Sequence, residues 1–384
     1  MKVLRIVGGL DPAFGGPVES AVNQCLAAQM AGVENTLLYP CRPSLSGENH
    51  SALERLRVAG VATRSFRISR VAGRQSDRWA LSAGLSVWTV RKLKHYDVIH
   101  LHGAWGAAQL VALEAAQYLG RPCVMTPHES LTRFDIANSG SVPPQVKRML
   151  HRRYMSKLAL IVFSSSLEAR DSMLEHARAR AVVLPHPVTG IAATGAPTAR
   201  RPPDGAPVIG FLGRLHPKKN LELLIRAVAR VPAVHLVIAG DGPPEYRRAL
   251  EELVHESEVG ERTEWLGFIR GDDRDRFLDS VDVLAMPSIY ECFGMSAAEA
   301  MARGVPPMLS SQCGIAEIVS RRDCGFVVGP ELDDWVDALS SLRRDRALAE
   351  LSVRSIDAAR AELSLESFGP AMRKEYDRID QEAA

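Results

Sequence analysis

The chain has 384 residues, 46% hydrophobic and 24% charged, with a formal net charge of +2. The length exceeds one ordinary core and predicts two domains of about 150–200 residues each. The apolar fraction excludes a disordered chain, and the small net charge argues against a general nucleic-acid binder. Six cysteines (Cys25, Cys41, Cys123, Cys292, Cys313, Cys324) are scattered without a C-x-x-C pair, the pattern of reduced thiols rather than a disulfide frame or a zinc site. The N-terminal apolar run is too short for a signal peptide. No segment approaches the ~20 apolar residues of a membrane span, so a soluble, cytoplasmic protein is expected.

In chain order, MKVLRIVGGLDPAFGG reads as a strand entering a turn. Gly15 and Gly16 precede Pro17 there. Such glycines either make the turn or let the backbone approach a ligand, and the run is not G-x-G-x-x-G, so the dinucleotide fingerprint is absent. Val18, Val22, Cys25 and Leu26 then share one helix face, with Pro17 as the first helical residue. Further strands are expected in TLLYP, VIHLHG, CVMTPH, LIVFSS and AVVLPH. His100 and His102 alternate on one strand and so point to the same face, and His128 ends the next strand, followed by Glu129. The three histidines leave two readings, a zinc set lacking a clear fourth ligand and hydrogen-bonding residues at strand ends. Two basic clusters stand in this half: Arg64, Arg67, Arg70 and Arg74, then Lys147, Arg148, Arg152, Arg153 and Lys157 on an expected helix with Met149 and Tyr154. Each reads as a solvated face, or as a contact with an anionic membrane surface or an acidic acceptor.

Residues 187–206 are rich in Pro, Gly, Ala and Thr without apolar periodicity, and read as a linker between domains 1–186 and 207–365. Strands resume in PVIGFLG, HLVIAG, EWLGF, VLAMPS, PPMLS and GFVV, with Leu221, Leu224, Ile225 and Val228 on one helix face. Strand–helix alternation of this kind predicts parallel sheets covered on both faces. The expected architecture is α/β, two doubly wound Rossmann-like domains facing each other across a cleft, with ligands at the carboxyl ends of the strands. Residues 366–384 read as a terminal helix, with packing back on the N-terminal domain left open.

In GFLGRLHPKKNLELLIRAV a strand ends at Gly213 and a short loop runs through Arg214 to Lys219 and Asn220. A guanidinium and an ammonium at a strand's carboxyl end beside a helix N-terminus suit a phosphate. In YECFGMSAAEAMARGVP, Glu291 and Glu299 flank a Phe293–Gly294 turn. Ser296 and Glu299 have the spacing of a capping box, and Gly304 is placed to end the helix. Glu291 then sits on a loop facing a helix N-terminus, where a phosphate and hydroxyl groups would meet. Taken alone, Glu299 caps its own helix and Glu291 is a solvated loop residue.

Together, GRLHPKKN and ECFGMSAAE resemble the nucleotide-sugar glycosyltransferases of the GT-B fold, glycosyltransferase family 4 (group 1). That family carries a G-R-L-x-x-x-K loop followed by Gly or Asn, and an E-x-F-G-x-x-x-x-E-A-M-A-x-G element. VIAGDGP, EWLGFI and DVLAMPS also match its connecting pattern, and Cys313 stands where a glycine is usual. The first half matches more loosely, through Gly15-Gly16 and the HLHG and TPHE strand ends. The resemblance implies an N-terminal acceptor domain and a C-terminal donor domain. Arg214 and Lys219 would neutralise the donor diphosphate beside Gly213, and Glu299 would bind ribose hydroxyls. Glu291 would hold hydroxyls of the sugar, the Phe293–Gly294–Met295 backbone would contact sugar or phosphate, and Phe268 would lie against the base. His128 would hydrogen-bond the transferred sugar, and the Gly15-Gly16 loop would approach the donor.

The implied reaction is retaining transfer from a nucleoside-diphosphate sugar, UDP- or GDP-linked, to a hydroxyl of a glycan, glycolipid or small metabolite. No cofactor and no metal are expected, because Asp273-x-Asp275 reads as surface rather than as a metal motif. Peripheral membrane contact stays open and nucleic acid is not expected. The competing readings are a zinc hydrolase on His100, His102 and His128, and a non-catalytic nucleotide-sugar-binding protein.

Overall fold

The computed structural model describes residues 1–11, 15–41, 50–68, 82–138, 144–175, 177–193, 205–343 and 345–383. Arg70, Arg74 and most of the expected linker lie outside them. The chain divides into two compact units, Met1–Pro187 with Leu365–Ala384, and Val188–Ser364.

The first unit holds strands β1 (Lys2–Ile6), β2 (Glu34–Cys41), β3 (Ala62–Arg67), β4 (Val98–His102), β5 (Cys123–Thr126), β6 (Leu160–Phe163) and β7 (Arg180–Val183). They form one sheet in the order β3-β2-β1-β4-β5-β6-β7, parallel throughout. Six of these are the apolar runs of the sequence. The seventh, β3, is ATRSFR at the sheet's outer edge, exposed or half-exposed along its length, so it leaves no apolar signal. Each inner strand serves two cores because successive side chains point to opposite faces. Leu4, Ile99, Met125 and Ile161 enter one apolar cluster, while their neighbours Val3, Val98, Val124, Leu160 and Val162 enter another.

That second cluster is completed by the last helix, Leu365–Ala383, whose Phe368, Met372, Tyr376 and Ile379 are buried on it. This helix lies against the helix Gly16–Met30 so closely that a Cβ at Gly369 would stand 2.3 Å from the Ala27 carbonyl oxygen. Val18, Val22, Cys25 and Leu26 are all buried, as their spacing predicts. The helix starts one residue before Pro17, at Gly16.

The second unit holds β8 (Val208–Leu212), β9 (His235–Ala239), β10 (Thr263–Gly267), β11 (Val283–Met286), β12 (Pro307–Ser310) and β13 (Phe326–Val328). Their order is β10-β9-β8-β11-β12-β13, again all parallel. Leu221, Leu224, Ile225 and Val228 are buried on one side of this sheet with Ile209, Phe211, Leu236 and Trp335. Strand order reverses between β1 and β4 in the first sheet and between β8 and β11 in the second. In open α/β sheets ligands bind outside the strand ends at such a switch point. No helix among the described residues is long and apolar enough to cross a membrane.

Candidate functional site

In the second unit the loops after β8 and β11 flank the switch point. The first runs from Gly213 through Arg214 to a 3-10 turn, Pro217–Lys219. Asn220 then adopts left-handed backbone, φ 53°, and caps the helix Leu221–Arg230. The neighbouring loops leave this segment little freedom. Gly213 N donates to Ala239 O at 3.0 Å and Leu215 N to Asp241 O at 2.9 Å. A Cβ on Gly240 would stand 1.8 Å from the Gly213 carbonyl oxygen, and one on Gly242 2.2 Å from that of Leu215. Arg214 itself is exposed and has no hydrogen-bond or ion-pair partner among the described residues.

The loop after β11 is tied to the one after β8, Ile289 N donating to Lys218 O at 2.9 Å. It is also zipped to the segment after β12: Glu291 N donates to Gln312 O at 3.0 Å, and Gly314 N to Glu291 O at 2.8 Å. Lys219 Nζ donates to Glu291 Oε2, and both side chains are largely withdrawn from solvent. Burial alone would lower the lysine pKa, but the charge and hydrogen bond of Glu291 outweigh it and hold the ammonium above its ordinary value. For Glu291 burial would raise the pKa, and the charges of Lys219 and Lys218 with the Lys219 hydrogen bond outweigh it, so the carboxyl is lowered. The pair is therefore ionised at neutral pH. Cys313, at the usual glycine position, is buried with its thiol pushed up to about 12, by burial first and then by Glu291.

The helix after this loop, Met295–Ala302, begins two residues earlier than the expected capping box requires. Its N-cap is Gly294 at φ 110°, and no side chain caps it. A glycine supplies that left-handed turn at no steric cost, which places Ser296 inside the first turn. Glu299 accordingly stands at the fifth helical position, not the third that a capping box needs. It pairs with Arg274 Nη1 at 3.0 Å. Gly304, at φ 76°, ends the helix as its position predicts. Phe293 is buried, whereas Phe268, after the left-handed Gly267, is 57% exposed. The uncapped amides of this helix, the Lys219–Glu291 pair and the loop carrying Arg214 thus belong to one edge of the sheet. Such an edge suits an anion beside hydroxyl groups.

In the first unit Gly15 takes φ 63° and caps the helix Gly16–Met30, again without a side-chain cap. His128 lies two residues beyond β5. It and Glu129 both adopt left-handed backbone, φ 49° and 76°. The buried carboxylate of Glu168 holds this turn, accepting from Glu129 N at 2.7 Å and Ser164 N at 2.8 Å. The rings of His100 and His102 stack at 4.6 Å and those of His102 and His128 at 5.2 Å.

Arg5, fully buried, assigns the tautomers of this row. Its Nη1 donates to His102 Nε2 at 3.1 Å, so His102 Nδ1 carries the proton and donates to His128 Nε2 at 3.0 Å. His128 Nδ1 then donates to Ser20 Oγ at 3.2 Å. Arg5 Nη2 donates to Tyr376 Oη at 2.8 Å, the hydroxyl donates to His100 Nδ1, and His100 Nε2 donates to Thr126 Oγ1 at 2.8 Å. Both nitrogens of all three rings are engaged within the protein. Among the described residues no group of three His, Cys, Asp or Glu is placed to hold a metal ion. Arg5, Ser20, Thr126 and Tyr376 escape sequence reading because they are ordinary residues far apart in the chain.

The second basic cluster is not one solvated face. Lys147 is fully buried, and Arg153 and Lys157 both bond Glu114, at 2.5 Å each. Arg148 and Arg152 remain exposed beside Met149, itself 66% exposed.

Two family models match the chain: Glycosyl transferase 4-like domain over residues 15–187 and Glycosyl transferases group 1 over residues 197–362. An uncharacterized glycosyltransferase of Methanocaldococcus jannaschii is 40% identical over 136 residues, 35% of this chain and 34% of the relative. The D-inositol 3-phosphate glycosyltransferase of Mycobacterium marinum is 28% identical over 300 residues, 74% of this chain and 64% of the relative. The chain therefore spans from about a third to just under two thirds of these curated relatives. Among solved structures, sucrose-phosphate synthase from Thermosynechococcus elongatus superposes with a TM-score of 0.78 at 20% identity, covering 100% of both chains. Anabaena HepE in complex with UDP-glucose gives 0.74 at 19% identity, covering 98% of this chain and 100% of that one. These likenesses show the fold, two parallel-sheet α/β domains of GT-B type. With both halves matched by its models, the chain belongs to the group 1 glycosyltransferases.

Proposed function

We propose that this chain moves a sugar from a nucleoside-diphosphate donor to a hydroxyl acceptor, with retention at the anomeric carbon and without a metal. One observation carries the reading. Arg214 is exposed, without a hydrogen-bond or ion-pair partner among the described residues, on a backbone tied down by its neighbours at the β8/β11 switch point, in the loop that also bears Lys219. A cation carried on a fixed backbone and not bound by a carboxylate is available to an external anion, and charge placed in advance stabilises a leaving diphosphate. The uncapped helix at Met295 adds amide donors and a positive dipole end. Glu291, kept ionised by Lys219, accepts hydrogen bonds from sugar hydroxyls, and Glu299 does so from the ribose. Phe268 offers an exposed ring to the base. The departing phosphate takes the acceptor's proton on the face from which it leaves, so no carboxylate nucleophile is required.

The second unit is the donor domain in this reading and the first the acceptor domain. His128 reaches the transferred sugar only by releasing a partner. Nδ1 is the nitrogen to yield, since Ser20 Oγ keeps its bond to Pro17 O at 3.1 Å. UDP is the first donor base to test, because HepE was solved with UDP and with UDP-glucose; GDP is the second. The acceptor is a glycan, a glycolipid or a small metabolite. Arg148, Met149 and Arg152 are the surface on which a lipid-linked acceptor would be met.

The test is thermal unfolding with UDP, GDP, ADP and dTDP, each with EDTA. A bound nucleotide at 100 times its Kd stabilises by about 2.7 kcal/mol, and the rise should persist in EDTA. With the donor so identified, Arg214→Ala should lower kcat/KM by about 10²–10³-fold while the unliganded Tm stays unchanged. An Arg214→Ala enzyme of full activity would reject the phosphate assignment.

A further inference from the structure

Arg274 stands in the first turn of the helix Asp272–Asp279, whose N-cap is Gly271. A cation there opposes the helix dipole. Its Nε is also buried without a hydrogen-bond partner, a second local cost. Within its own helix the same Nε stands 3.8 Å from Asp275 Oδ1, an ion pair too long to be a hydrogen bond. Across from it, Glu299 Oε1 accepts from Arg274 Nη1 at 3.0 Å, with 31% of the arginine and 16% of the glutamate side chain exposed. Asp275 also pairs with Arg303, and Arg303 with Asp279, so Arg274 links the Glu299 carboxylate to the charges of this helix. One oxygen of the Glu299 carboxylate is thereby pinned in a part-buried place. The bond from Arg274 restricts the rotation of the carboxylate before any ligand arrives.

We propose that Arg274 is a positioning residue, orienting the Glu299 carboxylate for the two hydroxyls of a ribose and so setting the preference for ribo- over 2′-deoxyribonucleoside diphosphates. The inference rests on the reading of Glu299 as the ribose-binding residue. A carboxylate left to rotate and to rehydrate would accept from one hydroxyl as readily as from two, and the preference would shrink. The sequence carries no sign of this pair: the residues are 25 apart, on different helices.

Calorimetric titration of UDP against 2′-deoxy-UDP, and of GDP against 2′-deoxy-GDP, tests it on a double-mutant cycle. The wild type should prefer the ribonucleotide. Glu299→Ala should weaken ribonucleotide binding about tenfold and abolish the preference. Arg274→Met should cut the preference about fivefold, Arg274→Lys should restore part of it, and Arg274→Met in the Glu299→Ala background should cost nothing more. The last result is the signature of acting through Glu299, which a merely structural role would not give. An unchanged preference in Arg274→Met, where Glu299→Ala has lost it, overturns the inference and leaves the ribose reading intact. An equal loss from Arg274→Met with or without Glu299 does the same. A preference that survives Glu299→Ala removes the ribose reading and this inference with it.

Discussion

Lys147 carries its charge to a place without solvent. Its Nζ donates to Asp135 O at 2.8 Å and to Asp135 Oδ2 at 3.0 Å, and the Trp105 ring lies 5.7 Å away. Trp105 Nε1 shares the same oxygen at 3.2 Å. The lysine side chain is 0% exposed and the aspartate 23%, so the partners are not equivalent. Removing one member of a buried pair costs about 3–5 kcal/mol when the other is left uncompensated. Asp135→Ala removes the carboxylate from a fully buried ammonium, leaving its bond to the residue-135 carbonyl, and should show a loss toward the lower end of that range in urea unfolding. Lys147→Met fills the same space and leaves a carboxylate that reaches water, so it should cost clearly less. Equal losses would mean that packing, not charge, decides the site.

At the scale of elements, the carboxyl edge of β4 and β5 is a row of neutral histidines. His100 and His102 are held well below the usual histidine value, by burial first and then by nearby charges, among them Arg5. His186 is likewise held well below it, by burial and then His128. His128 is lowered to about 3 by burial. Since folded values lie below the unfolded value of about 6.5, the unfolded chain binds more protons as pH falls below it. The stability is then fully present above about pH 6.5 and is lost as pH falls toward the folded values, each histidine contributing a slope of up to about 1.4 kcal/mol per pH unit. Urea midpoints should therefore drop from pH 7 to pH 5, and His100→Gln should flatten the drop. A profile flat over that range would contradict the assigned neutral network.

For the whole molecule, the chain leaves the first unit at Pro187 and returns to it at Leu365. The returning helix buries Phe368, Met372, Tyr376 and Ile379, and supplies the hydroxyl that Arg5 and His100 share. Four such side chains contribute about 1.5–3 kcal/mol each, comparable together to the whole stability of a domain. A chain stopped at Ser364 should aggregate or lose protease resistance in residues 1–187, while the second unit keeps its own. Unchanged resistance of the first unit would show that its core closes without the helix.

The sequence by itself determined the inner strands and the helix faces, because their signals are local: apolar runs for strands buried on both sides, and a 3.6-residue period for helices. It also located the loops of Arg214, Lys219 and Glu291, since short strand-to-helix turns constrain residue type within a few positions. Tertiary structure decided the rest. The edge strand β3 has no apolar run because its side chains are exposed or half-exposed along its whole length. Lys147 reads as surface charge until Asp135 is seen beside it. Ser296 fits a capping box, but a left-handed glycine starts the helix earlier and frees Glu299 for Arg274. Arg5 and Tyr376 stand 371 residues apart. Such pairs are set by which faces the packed sheets and helices bring together, and a hydrogen bond across that distance leaves no periodicity in the chain to read.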